Sequence, residues 1–541
     1  MSTIWKLREP LIKYDDMDFI TDKILKIRGI KNTYEFLNPS ISSLNSPFAL
    51  ENMKIAVDKT VEYIFNGKKI GVYADPDTDG VISAAISYRY LKQFTDNIVI
   101  LYHQRDEGHG VQVQNCMDNE VDLVIVVDSS TSSVSECKQL QEQGIEVIVL
   151  DHHIAETGNP CAIIVNPQVC NYPNKDLSGA GVVFQFCRAF DEVMGTEYAF
   201  DYIEFVAIAL IGDMMDVAQP ETRYLIYEGL SKIRSENRSI IIDMALKKLN
   251  SWYMPTATDI AFSLVPMINS AIRLGHIEWT IELFTTDDIY RAKDLIDKCT
   301  SLNSNRKKEQ KIIINDLVIN NDNSIIIINA TENNINPAMR GLIANDIANT
   351  YKKPCLVVSE EGELMQGSGR SFGDIANFKD ILHDTGLFTD LAGHQSAFGV
   401  EFNKNQMSNI YQELNKTLPD FDKEIVLEAD LELEADKIDW SFIYDVLPLY
   451  LICGNGFEEP KFIIKDIKYD NCKVMGDFKN HFKLTNAGYE VVKFNTTDEI
   501  IKKASRNKYK NVLGTLGVNA WYHFGKKEMV YNIQIKADDL N

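Results

Sequence analysis

The chain has 541 residues, of which 45% are hydrophobic and 25% charged, a composition typical of soluble globular proteins. This length predicts three or four domains, and the absence of an apolar stretch near the ~20 residues of a membrane span argues against a membrane protein. The nine cysteines include no C-x-x-C pair, which argues against a disulfide framework or a zinc site and favours a reducing cytoplasm. The formal net charge of −23 does not exclude a nucleic-acid partner, because a basic groove can lie on an acidic body.

Apolar, β-branched runs alternate with helix-like segments between residues 51 and 180. The runs lie at 70–73, 98–102, 123–127, 147–150 and 162–165. Helices are predicted at 53–65, 81–94 and 133–143. Strands buried on both faces read as continuous apolar runs, so this alternation predicts a parallel α/β sheet.

The rest of the chain changes character twice. Residues 180–320 read as mostly helical, and a second, smaller α/β unit begins near residue 324. Residues 423–541 carry short alternating runs that favour a small β-barrel. The predicted fold class is therefore α/β and multidomain: a parallel-sheet domain, a helical linker, a smaller α/β domain and a C-terminal β-barrel.

Acids and histidines follow three of the predicted strands. They are Asp75, Asp77, Asp79, Asp128, Asp151, His152 and His153. Because ligands of parallel sheets bind beyond the carboxyl ends of strands, we expect these side chains to meet at one edge. Carboxylates and imidazoles bind divalent cations, and with Asp216 the set suffices for two ions bridged by a carboxylate. An EF-hand loop is disfavoured because Ile86 stands where its last acidic ligand is needed.

The same residues resemble, in order and setting, the four motifs of the DHH phosphoesterase superfamily, and within it the RecJ single-stranded-DNA exonucleases. The motifs are Asp75-Pro-Asp-Thr-Asp-Gly80, Asp128, Asp151-His152-His153 and Asp216. Further matching segments are 105–110, 166–167, 177–182, 266–275, 302–306, 367–371, 392–394 and 454–460. The resemblance covers nearly the whole chain, and the motifs are specific in combination rather than singly.

The resemblance implies five segments. They are an N-terminal extension (1–50), a DHH phosphoesterase domain (51–285), a helical linker (286–322), a DHHA1 substrate-binding domain (323–422) and an OB-fold-like domain (423–541).

The resemblance also implies two divalent metal ions, Mn²⁺ or Mg²⁺. Their ligands would be Asp75, Asp77, Asp79, Asp128, His152 and Asp216. Asp77 and Asp128 would hold one ion, and Asp128 would bridge to the other. Asp213 stays an alternative to Asp216, which is preferred because Val217 follows it. Asp151 would support the adjacent histidine.

Substrate contacts are implied for a second set of residues. They are Arg105, His153, Arg273, Gly369, Arg370, Ser371 and His394. Arg370 suits a phosphate because its planar fork can bind two oxygens, although a surface salt bridge is the alternative. Three residues depart from the family pattern: His109 replaces a tyrosine, and Ile272 and Ala392 replace glycines. Candidates for stacking on bases are Phe482, Trp521, Tyr522 and Phe524, with core packing as the alternative.

These observations favour a metal-dependent 5′-to-3′ exonuclease of single-stranded DNA that serves DNA repair and recombination. The direction and the preference for DNA are implied by the resemblance alone. It also implies a cytoplasmic monomer, with a single-strand-binding protein and a helicase as further partners. The alternative is the same chemistry on short oligonucleotides, cyclic dinucleotides or pyrophosphate. A nucleic-acid-binding scaffold with an inactive centre is disfavoured because every motif acid and both histidines are present.

Overall fold

The computed structural model describes residues 3–8, 20–155, 158–251, 254–320, 322–373, 375, 377–418, 425–451, 453–476, 479–506, 508–523, 525 and 527–541, without the side chains of residues 394, 425, 522 and 523. The described part of the chain divides into two compact units. One contains Ser301–Ile425 with Met1–Ile4, and the other contains Trp5–Thr300 with Val426–Asn541.

The helices are numbered in chain order. They are α1 (Ile20–Ile27), α2 (Thr33–Leu37), α3 (Met53–Phe65), α4 (Thr78–Leu91), α5 (Val113–Asp118), α6 (Val134–Glu142), α7 (Gly179–Met194), α8 (Ile203–Gly212), α9 (Pro220–Arg234), α10 (Ile240–Lys248), α11 (Ala257–Asp259), α12 (Val265–Arg273), α13 (Ile277–Thr285), α14 (Ile289–Asp316), α15 (Arg340–Tyr351), α16 (Phe378–Asp384), α17 (Met407–Thr417), α18 (Trp440–Tyr450) and α19 (Asp498–Ala504).

The strands are numbered in the same way. They are β1 (Thr3–Leu7), β2 (Ile70–Ala74), β3 (Ile98–Tyr102), β4 (Leu123–Val127), β5 (Glu146–Leu150), β6 (Ile163–Val165), β7 (Ile326–Asn329), β8 (Cys355–Glu361), β9 (Leu364–Arg370), β10 (Asp390–His394), β11 (Ala397–Asn403), β12 (Ile425–Ala429), β13 (Leu431–Glu434), β14 (Lys461–Lys465), β15 (Asn471–Met475), β16 (His481–Thr485), β17 (Tyr489–Lys493), β18 (Val512–His523) and β19 (Glu528–Leu540).

A five-stranded, all-parallel sheet in the order β3-β2-β4-β5-β6 positions the candidate site. Every residue of β2 and β4 is buried, as expected for strands covered on both faces by helices. One hydrophobic cluster of this sheet packs Tyr73, Val124, Val126, Val147 and Val149 together. The apolar runs thus form a buried sheet in the larger unit, and the acids that follow them lie at one edge of that sheet.

The smaller unit is built on a five-stranded mixed sheet in the order β10-β11-β9-β8-β7. Its two faces carry separate hydrophobic clusters, one around Phe378, Phe398 and Phe402 and the other around Ile343 and Ile347 of α15. A sheet with helices packed on both faces agrees with the predicted second α/β segment.

The C-terminal segment forms a seven-stranded mixed sheet in the order β13-β14-β18-β19-β17-β16-β15. Phe462, Ile464, Ile533 and Ile535 are buried within it. The predicted fold class is confirmed: a parallel-sheet core, helices, a smaller α/β part and a C-terminal sheet domain. None of the described helices combines the length and the apolar character that a membrane crossing requires.

Candidate active site

Three neighbouring strands of the parallel sheet end in acids at the same level. Ala74 pairs with Val127, and Val127 pairs with Leu150, so the residues that follow, Asp75, Asp128 and Asp151, leave the sheet side by side. All three carboxylates are buried. The strand register therefore creates the acidic edge predicted from the sequence.

Carboxylate and imidazole atoms meet at this edge in three overlapping groups, each with its ligand atoms within 4.8 Å of one another. The groups are Asp75–Asp77–Asp128, Asp128–His152–His153 and Asp79–His152–Asp213. His152 Nε2 lies 3.1 Å from Asp128 Oδ1, 3.4 Å from Asp213 Oδ2 and 3.9 Å from Asp79 Oδ2. Asp128 and His152 thus connect the groups into one continuous cluster.

The backbone at Asp128 is held in an unusual conformation. Its φ of 62° is in the left-handed region, which aspartate tolerates better than most residues. Gly179 permits the close approach of α7, because a Cβ atom there would lie 2.6 Å from the Asp128 Cβ. Such conformations cluster at functional sites, where the surrounding packing offsets their cost.

The N-terminus of α7 holds the Asp79 carboxylate. The Gly179 and Ala180 amides donate hydrogen bonds to its two oxygens, at 2.5 and 3.0 Å. The amides and the helix dipole both favour the ionised carboxylate. The family resemblance included residues 177–182 but assigned them no role. The sequence feature that indicates a helix start here is Ser178, because serine favours the N-cap position.

Asp151 acts on its neighbours through hydrogen bonds. Its carboxylate accepts from the Thr131 amide and hydroxyl, from the backbone amides of His152 and His153, and from Nδ1 of His153 at 2.8 Å. Burial alone raises the pKa of Asp151, but the bond from His153 and the charges of both histidines take it well below its usual value. Burial lowers the pKa of His153, but Asp151 outweighs this and raises it to about 9. His153, whose side chain is half exposed, is therefore a cationic hydrogen-bond donor at neutral pH.

Like charges crowd the rest of the cluster. Burial and the Asp77 charge raise the pKa of Asp79 to about 6, and burial with the charges of Asp79 and Asp77 raises that of Asp213 to about 8. Burial and Asp79 raise the pKa of Asp128 well above its usual value. Buried Asp75 Oδ1 accepts no hydrogen bond from the described residues. An oxygen-rich set with an unsatisfied buried acceptor and mutually repelling carboxylates suits a divalent cation.

These pKa shifts predict how stability depends on pH in the absence of metal. The pKa values of Asp79 and Asp213 are higher in the folded chain than in the unfolded chain. These acids therefore contribute stability that is present at about pH 4 and is lost as the pH rises through about 6 to 8. The melting temperature in EDTA should fall from about pH 5.5 to 8.5, and the increase that Mn²⁺ produces should grow over the same range. Asp213→Asn should flatten both trends in differential scanning fluorimetry. A pH-independent Mn²⁺ increment in the unaltered protein would contradict this account.

The fourth acid is placed differently from the sequence-based preference. Asp213 directly follows α8 and lies with His152 and Asp79, whereas Asp216 accepts a hydrogen bond from the Ala218 amide at 2.7 Å and lies against Gly456. Among the described residues, Asp216 belongs to none of the three groups. The preference for Asp216 therefore needs correction: the structure brings Asp213 to the cluster.

Two residues of the 105–110 segment lie beside the acidic turn. Arg105 donates from Nη1 to the Pro76 carbonyl at 3.0 Å. His109 Nδ1 lies 3.7 Å from Asp75 Oδ2, and this contact raises the His109 pKa. His109, which stands where the family has a tyrosine, thus lies beside the acidic cluster. The sequence did not predict this position. Arg273 is half-buried at the end of α12.

In the smaller unit, the predicted substrate residues lie at the ends of β9 and β10, the two strands that flank β11. Arg370 is the last residue of β9 and pairs with Ala397 of β11. A Cβ atom at Gly341 would lie 2.6 Å from Arg370 Nη2, so glycine makes room for the guanidinium at the start of α15. The Ser371 hydroxyl donates to the Ile375 carbonyl at 2.8 Å, and His394 ends β10. Gly369 packs under Phe398, which leaves no space for a side chain.

Of the aromatic candidates, Phe482 is fully buried in the C-terminal sheet domain, which agrees with core packing, the alternative to stacking. Trp521 is 37% exposed. The Tyr522 side chain and Phe524 lie outside the described residues.

Comparisons with known proteins agree with this architecture. The family model of the DHH family, N-terminal domain, matches residues 69–210, and the RecJ OB domain model matches residues 429–534. YorK, a prophage-derived protein of Bacillus subtilis named as a single-strand DNA-specific exonuclease, is 29% identical over 93% of this chain and 93% of its own. RecJ of Haemophilus influenzae, named a single-stranded-DNA-specific exonuclease, is 27% identical over 86% of each chain.

The fold also has a solved counterpart. The structure of RecJ from Thermus thermophilus in complex with Mn²⁺ superposes with a TM-score of 0.78 at 23% identity, covering 100% of this chain and 79% of that one. This likeness supports the α/β fold described above.

Proposed function

Because the chain is a RecJ-type protein of the DHH phosphoesterase superfamily, we propose that it hydrolyses phosphodiester bonds of single-stranded DNA from the 5′ end with divalent metal ions. The observation that carries the proposal is the continuous cluster in which Asp128 and His152 connect three carboxylate–imidazole groups. The role in repair and recombination, the cytoplasmic monomer, and the single-strand-binding and helicase partners follow from the resemblance. The five domain boundaries drawn from the sequence belong to the same proposal.

The cluster supplies ligands for two divalent ions, Mn²⁺ or Mg²⁺. Asp75, Asp77 and Asp128 would hold one, and Asp79, Asp128, His152 and Asp213 the other. When bound, such ions lower the pKa of water and polarise phosphoryl oxygens. Burial and mutual repulsion raise the pKa values of these acids, and a bound cation would offset both by stabilising the ionised carboxylates.

The remaining residues would position the substrate. His153, kept cationic and oriented by Asp151, would donate a hydrogen bond to an oxygen of the scissile phosphate. Arg105, Arg273, Gly369, Arg370, Ser371 and His394 would contact the strand backbone. Trp521 offers an exposed ring on which a base can stack.

End-labelled substrates test the proposal. With Mn²⁺ or Mg²⁺, a 5′-labelled single strand should yield labelled mononucleotide at the first turnover, whereas a 3′-labelled strand should yield labelled fragments that shorten progressively. Matched RNA and duplex DNA should be cut more slowly. Hydrolysis confined to di- or trinucleotides or cyclic dinucleotides would instead favour the alternative phosphodiesterase.

A further inference from the structure

Residues 454–457 of the C-terminal sheet domain grip residues 212–217, which carry Asp213. We call these segments the clasp loop and the acidic loop. The Val217 amide donates to the Asn455 carbonyl at 2.9 Å, and the Asn455 side-chain amide donates to the Met214 carbonyl at 2.6 Å. The two loops are thus joined by hydrogen bonds on either side of Asp216.

At positions 454 and 456 of the clasp loop, the contact leaves no space for a side chain. A Cβ atom at Gly456 would lie 1.7 Å from Asp216 Oδ1, and one at Gly454 would lie 2.9 Å from Val217 Cγ1. Gly456 also has a φ of 77°, which side-chain-bearing residues rarely adopt. The glycines therefore allow the backbones to approach closely enough for the hydrogen bonds to form.

The clasp loop is itself rigidly held. Gly454 and Phe457 exchange backbone hydrogen bonds, at 2.9 and 3.2 Å. The buried Phe457 ring lies 4.8 Å from Phe36 and under the Arg28 guanidinium, which in turn forms two hydrogen bonds to the buried Asp430 carboxylate. The contacts of the clasp loop within its own surroundings thus fix the position at which it binds the acidic loop.

The acidic loop needs such support. Met214, the residue after Asp213, has a φ of 55° although it is not glycine, a conformation that persists only where its surroundings enforce it. The Met214 carbonyl is the group that Asn455 holds. A ligand carboxylate is effective only if it is oriented beforehand, and loss of such outer contacts typically costs 10–100-fold in metal affinity.

We infer that Asn455 and Gly456 are positioning residues for the candidate metal ligand Asp213, so that the C-terminal sheet domain completes the metal centre as well as guiding the strand. This inference rests on the proposed function. A domain that only guided the strand would leave Mn²⁺ affinity and the hydrolysis of a dinucleotide unchanged when the clasp loop is altered.

The test is a titration of the full chain with Mn²⁺, in which electron paramagnetic resonance measures the bound ion. Asn455→Ala should weaken the Mn²⁺ affinity about 10-fold and Gly456→Ala about 100-fold, in line with lost outer contacts. Dinucleotide hydrolysis should fall in parallel and recover at high Mn²⁺ concentration. The matched controls are Asn471→Ala, an exposed position of β15, and Gly517→Ala, where no atom lies within 4 Å of the added Cβ.

Asn455→Ala decides the matter if Gly456→Ala does not fold, because it only removes an exposed side chain. Wild-type Mn²⁺ affinity in a folded Asn455→Ala variant would overturn the inference while leaving the proposed function intact. A wild-type chain that binds no Mn²⁺ would overturn both.

Discussion

Replacing Asp128 by asparagine is expected to lower nucleotide release from single-stranded DNA by more than about 100-fold, since loss of outer partners alone costs up to about that much. Asp128 belongs to two of the three ligand groups, so its loss affects both candidate ion positions. Asparagine is preferred to alanine because residue 128 has a φ of 62°, which asparagine tolerates. The measurement is the rate of nucleotide release at saturating Mn²⁺.

The variant should remain folded, which separates a lost site from a lost structure. Removing one of several repelling buried carboxylates relieves their repulsion, so the melting temperature in EDTA should equal or exceed that of the unaltered protein. Asp96→Asn is a matched control, because the Asp96 side chain is 98% exposed. Activity within a few-fold of wild type in Asp128→Asn would remove this residue from the site.

Asp213→Asn and Asp216→Asn should differ sharply, although the two positions are three residues apart. Asp213→Asn is expected to reduce activity and Mn²⁺ affinity by at least about 10-fold, because its carboxylate lies 3.4 Å from His152 Nε2. Asp216→Asn should change either quantity less than about 3-fold, because asparagine keeps the oxygen that accepts from the Ala218 amide. The measurements are Mn²⁺ titration and the initial rate on single-stranded DNA.

The reverse order of effects would restore Asp216 as the ligand and imply that the acidic loop rearranges when metal binds. Equal, large effects in both variants would contradict the separation of roles drawn from the geometry.

The sequence predicts the acidic edge well because two strong rules act together. Wholly apolar runs such as those ending at Ala74 and Val127 form parallel strands, and parallel strands bring the residues after them to one edge. The fold class and the meeting of Asp75, Asp128 and His152 follow from short-range patterns alone.

What the sequence did not predict depends on contacts between distant segments. The clasp loop, more than 200 residues further along the chain, treats the two positions differently: Gly456 lies against Asp216, and Asn455 donates to the Met214 carbonyl beside Asp213. The burial of Phe482 depends likewise on packing within the C-terminal sheet domain. The helix α4 begins at Thr78, with Asp77 as its N-cap, whereas the sequence predicted a start at residue 81 because the acidic residues read as a turn.

Anomalous diffraction from crystals grown with Mn²⁺ tests the central claim most directly. The account predicts two Mn²⁺ peaks, one among Asp75, Asp77 and Asp128 and the other among Asp79, Asp128, His152 and Asp213, with a separation of ~3.5–4 Å. The absence of Mn²⁺ from this cluster at concentrations that support activity, or its coordination by Asp216 in place of Asp213, would contradict the account.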